Sequence, residues 1–76
     1  MKELVEYIAK SMASQPDAVK VTEETDGEGR VILKLEVSAE DKGRVIGRQG
    51  RVAQSIRVLL RVAAIKKGTR AVLEIV

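Results

Sequence analysis

The chain has no cysteine, no histidine, one proline and a single aromatic residue, Tyr7. Each shortage removes a class of function. Without cysteine there is no disulfide framework, no zinc knuckle and no thiol nucleophile. Without histidine the commonest general base and metal ligand is missing. Ser11, Ser14, Ser38 and Ser55 have no imidazole to activate them, and no carboxylate pair stands beside a nucleophile. The chain therefore reads as a protein that is not an enzyme. Long apolar runs are missing too. None approaches the roughly 20 residues of a membrane span, and the N-terminus alternates Lys and Glu with apolar residues, unlike a signal peptide. Glu23, Glu24, Asp26 and Glu28 cluster without the spacing of a calcium loop and read as a solvated turn. No metal, cofactor or small-molecule substrate is expected.

What is present is charge, unevenly placed. The 76 residues carry a net +3. Residues 1–41 hold five basic side chains against ten acidic ones, a net −5. Residues 42–76 hold nine basic side chains against Glu74 alone, a net +8. Such a split predicts one face built for a polyanion, although Arg-rich helices also serve solubility. A chain of this length is expected to form one domain over residues 1–76. It buries only about 60% of its unfolded surface, so oligomerisation would help it.

The apolar pattern predicts six elements. Leu4, Val5, Ile8, Ala9 and Met12 recur at helical spacing over 2–13, and Pro16 ends that helix. Residues 18–25 read as a strand carrying Val19 and Val21, and Asp26–Gly29 as a turn. Residues 30–37 form the clearest strand. Val31, Leu33, Leu35 and Val37 share one face, and Ile32, Lys34 and Glu36 the other. Ser38, with Asp41 three residues on, resembles a capping box for a short helix over 39–46. After Gly47–Gly50 a longer helix is predicted over 51–65, with Val52, Ile56, Leu59, Leu60 and Ala63 inward and Gly68 closing it. Residues 70–76 read as a last strand, paired parallel to one hairpin strand through the helical crossover. The order α-β-β-α-α-β predicts an α+β two-layer sandwich, a three-stranded mixed sheet with the helices on one face.

The informative stretch is Val45-Ile46-Gly47-Arg48-Gln49-Gly50-Arg51. A bare G-x-x-G carries little, and a plain corner between two helices would explain it. Its context adds more. The pair follows an apolar Val-Ile and precedes a basic amphipathic helix, whose N-terminus favours an anion. Two glycines permit a sharp turn and close approach of a ligand backbone. Arg48 and Arg51 suit bidentate phosphate contact, and Gln49 can donate or accept a hydrogen bond.

The segment from Asp41 to Arg51 resembles the I-G-x-x-G core of a KH domain, a module whose GXXG loop clamps a nucleic-acid backbone. The element order resembles the type II KH topology. A single KH domain filling nearly the whole chain is similar to the small bacterial RNA-binding proteins of the KhpA family. The resemblance implies that Gly47, Arg48, Gln49, Gly50 and Arg51 grip phosphates, with backbone N–H groups at Gly50 and Arg51 taking part. It implies that Lys42 and Arg44 charge one rim. Ile46 and Val45 would floor a base-binding groove, Val52 and Ile56 would line or support it, and the second strand around Ile32–Leu35 would form its other wall. It also implies a cytoplasmic chaperone or post-transcriptional regulator of single-stranded RNA, working as a homodimer or with a second KH-containing protein. The alternative is a protein–protein or RNP-assembly module in which the loop is only structural. Reading the corner as a duplex-DNA helix-turn-helix fits the long hairpin poorly. The shortage of aromatics agrees with a KH groove, because RRM and OB platforms stack bases on Phe, Tyr or Trp.

Overall fold

The computed structural model describes residues 1–76. Its elements are α1 (Lys2–Met12), β1 (Lys20–Thr25), β2 (Val31–Glu36), α2 (Ala39–Ile46), α3 (Arg51–Lys66) and β3 (Ala71–Ile75). Short 3-10 turns occupy Pro16–Ala18 and Arg48–Gly50. The predicted α-β-β-α-α-β order is thus observed. The first strand starts two residues later than expected, because Pro16 opens a 3-10 turn where its fixed φ and missing N–H are tolerated.

The sheet order is β1-β2-β3. β1 and β2 form an antiparallel hairpin in the register Lys20↔Glu36 to Thr25↔Val31. β3 pairs parallel to β2 from Val31↔Ala71 to Leu35↔Ile75, as the helical crossover predicts. Asp26 shapes the hairpin turn. Its Oδ1 accepts the N–H groups of Glu28 and Arg30, each at 2.9 Å, and Gly29 takes a φ of 83°.

The core lies between the sheet and the helices. Leu33 and Leu35 of β2 and Leu73 of β3 meet Val5 and Ala9 of α1, Val45 of α2, and Ile56 and Leu60 of α3. Val31 and Val37 pack at its margin, so the alternation predicted for β2 holds. α3 differs from expectation. Its buried residues are Ala53, Ile56, Leu60 and Ala64, while Leu59 is half exposed. Ile56 and Leu60 are the residues by which α3 joins the core with the sheet. α3 ends in a Schellman motif: Thr69 N–H donates to Ala64 O, Gly68 N–H donates to Ile65 O, and Gly68 holds φ 72°. No helix is long and apolar enough to cross a membrane.

Candidate nucleic-acid interface

The loop between α2 and α3 is built from three departures from ordinary backbone within four residues. Gly47 lies at φ 79°, Gln49 at φ 57° and Gly50 at φ 73°. Gly47 is required twice over. A Cβ there would sit 2.5 Å from Val52 Cγ2 and 2.8 Å from the Val52 nitrogen. Gly50 faces open space, so only its left-handed φ calls for glycine. Gln49 is the one non-glycine with positive φ, and the turn places its side chain in solvent beside that of Arg48.

The turn closes on itself. Gly50 N–H donates to Gly47 O at 3.1 Å, and Arg51 N–H donates to Arg48 O. This corrects the expected clamp. The amides of Gly50 and Arg51 are engaged within the loop, so the groups it presents outward are the exposed side chains of Arg48, Gln49 and Arg51. They stand at the positive end of a 16-residue helix, where an anion is favoured.

The apolar expectations divide. Ile46 is partly exposed beside the loop, whereas Val45 and Ile56 are buried in the core. Val45 therefore supports the loop and cannot line a groove. Val52 is half-buried and packs on the core and on Gly47. The second strand is not the other wall either. β2 is the central strand, with Leu33 and Leu35 wholly buried. The free edge next to α3 belongs to β3. Arg70 O accepts from Val31 N–H and Val76 N–H donates to Leu35 O, so residues 70, 72, 74 and 76 face β2. By alternation the backbone groups of Ala71, Leu73 and Ile75 point out of the sheet, unpaired.

Charge completes the site. Lys42 and Arg44 are exposed on α2. Gln54, Arg57 and Arg61 follow at helical spacing along α3, and Arg61 reaches the side where Ala71 and Val72 of β3 lie. The Arg57 guanidinium donates one hydrogen bond, to Gln54 Oε1 at 3.4 Å. Every ion pair in the molecule lies within residues 1–34: the N-terminus with Glu3, Lys2 with Glu6, Arg30 with Asp26 and Glu28, and Lys34 with Glu24. The nine cations after residue 41 have no acidic partner.

One residue behind the loop has a role that sequence reading missed. The Asp41 side chain is 1% exposed. Its Oδ1 accepts from Ser14 N–H at 2.9 Å and Ser14 Oγ at 2.8 Å, and its Oδ2 from Gln15 N–H and Ser38 Oγ at 3.0 Å. These donors, the Ser14 N–H foremost, hold its carboxyl down at about 2 against the opposing effect of burial. Ser38 Oγ caps Asp41 N–H at 3.3 Å, so half of the expected capping box forms. The other half is replaced by a clasp to the α1–β1 connection, which fixes the helix leading into the loop.

A three-stranded mixed sheet, three helices and a glycine turn between the last two define the class: a KH domain. The comparisons narrow this. The model of the family described as KhpA/KhpB, KH domain, matches residues 2–75. RNA-binding protein KhpA of Clostridium acetobutylicum is 51% identical over 76 residues, covering all of both chains. Its namesake in Clostridium perfringens is 53% identical, again end to end. Among solved structures, Era of Aquifex aeolicus bound to GDP and AlF4− superposes with a TM-score of 0.60 at 19% identity. That match covers 97% of this chain and 28% of Era, and shares the fold. The chain belongs to the KhpA/KhpB KH-domain family.

Proposed function

We propose that this protein binds single-stranded RNA by seating the strand against the Gly47–Gly50 loop and along the channel between α3 and the free edge of β3. The observation that carries the reading is the set of nine unpaired cations placed around and beyond that loop. Unpaired surface cations are free to displace the counterions of a phosphate chain, which is the main source of nucleic-acid affinity. Arg48 and Arg51 contact phosphates, Gln49 adds a hydrogen bond, and Lys42 and Arg44 charge the α2 rim. Ile46 offers an apolar surface to a base. The outward backbone groups of β3 suit the hydrogen-bonding edges of bases. The names of the KhpA relatives support the same ligand.

The protein acts by binding and not by catalysis, in the cytoplasm, as an RNA chaperone or post-transcriptional regulator. Its partners include a second copy or another KH-containing chain. Val58, Leu59 and Val62, about half exposed on the outer side of α3, supply an apolar surface for one.

The test is affinity for a short RNA of mixed sequence at two salt concentrations, for the parent and for Arg48→Asp with Gln49→Asp. Both positions are exposed, so the fold survives. The parent weakens with salt by about 0.7 log units per phosphate contacted for each log unit of salt. The variant binds far more weakly. Equal binding by both would favour the assembly-module reading, in which the loop is structural.

A further inference from the structure

We propose that the channel continues into a second phosphate-binding subsite at its far end, between Arg61 and Arg70, which takes a further nucleotide of the same RNA strand. The inference rests on the reading above and lengthens its footprint. A groove of about 380 Å³ opens there, where the last turns of α3 pass the start of β3. Arg61 enters it from the helix and Arg70 from the strand, and neither guanidinium has an acidic partner or a hydrogen bond within the protein. Arg30 also lines the groove, but Asp26 holds its Nε at 2.7 Å, so the free charges are those of Arg61 and Arg70.

The floor between them is apolar, formed by Ala64, Ile65 and Val72. Two guanidinium groups above an aliphatic floor match a nucleotide, with its phosphate between the arginines and its base on the floor. The walls are fixed before binding. The Schellman turn sets the approach to β3, and Thr69 Oγ1 donates to Gly29 O at 2.9 Å, tying this turn to the hairpin. Glu28 lines the adjoining hollow, which shares Thr69 and Arg70, and its charge bounds the site against a further phosphate. Ten residues of helix separate Arg51 from Arg61, about 15 Å at 1.5 Å per residue. The GXXG loop of a KH domain grips four nucleotides, so the subsite belongs to a longer strand.

The experiment compares RNA oligonucleotides of four and eight nucleotides on the full chain, with Arg61→Ala plus Arg70→Ala as the variant. Both side chains are exposed, and a thermal melt checks that folding is unchanged. A longer strand gains some affinity simply by offering more registers, and that gain is common to parent and variant. The subsite predicts an additional gain of about tenfold in the parent alone. It also predicts that the variant's salt slope for the eight-mer is shallower by about 0.7, one phosphate contact. The four-mer should bind both proteins alike. If the variant keeps the parent's full gain, the subsite is wrong while the loop reading stands. If the four-mer fails to bind the parent at all, the loop reading falls, and the subsite with it.

Discussion

The two halves of this small domain use charge in opposite ways. In residues 1–36 three of the five basic side chains meet anions: Arg30 closes the hairpin turn on Asp26, Lys34 crosses to Glu24, and Lys2 reaches Glu6 one turn away. In residues 42–76 nine cations face Glu74 alone, and none is paired. The first half spends part of its charge on its own structure. The second keeps its charge for something outside the molecule, and tolerates the resulting self-repulsion by spreading it along α2, the loop and α3. A net charge of +3 conceals this division; the distribution of pairs reveals it.

The largest effect that would break the contrast is charge reversal. Arg48→Asp with Gln49→Asp should lower RNA affinity by about a thousandfold at low salt, since a charge-assisted contact is lost and repulsion replaces it. Lys20→Asp, a reversal on exposed β1, should leave affinity within about twofold by the same titration. The second contrast lies inside the loop. Gly47→Ala forces a Cβ into Val52 at a positive φ and should cost about 2–3 kcal/mol in denaturant unfolding. Gly50→Ala meets open space and should cost about 1 kcal/mol.

Asp41 joins the halves, and acid tests it. Its carboxyl titrates at about 2 when folded against an ordinary 3.8. A depressed carboxyl stabilises the fold above its unfolded pKa, and this contribution is lost as pH falls from about 4 to about 2. Asp41→Asn should lower Tm by on the order of 10 °C at neutral pH and flatten the acid limb of the melting profile, because an amide nitrogen then faces donors. The smallest effect belongs to the exposed pair. Lys34→Ala should change stability by no more than about 0.5 kcal/mol, measured by the same unfolding.

Local pattern made much of this legible. The hairpin, the helices and the glycine loop follow from periodicity and breakers decided within a dozen residues, and the parallel return of β3 follows from the helical crossover between it and β2. What was misread depends on distant packing. α3 is apolar on more than one side, so its pattern suits Leu59 to the core as well as Leu60, and only the packing of Ile56 and Leu60 against the other elements settles its facing. The family resemblance makes β2 a wall of the groove, but strand order is set by the crossover, and it places β2 at the centre. Val45 reads as a groove residue beside Ile46, yet it lies on the packed side of a helix of only eight residues. Asp41 was visible as a cap. Its hydrogen bonds to Ser14 and Gln15, 27 and 26 positions away, have no local signature.

The most direct test of the central claim maps the contact without altering the protein. Backbone amide resonances of the ¹⁵N-labelled chain are followed while a short single-stranded RNA is added. The division of charge predicts shifts at residues 44–54, continuing along 57–61 and 70–73, with the amides of α1 and β1 unmoved. Shifts centred on α1 or β1, or none at the loop when RNA is bound, would contradict it.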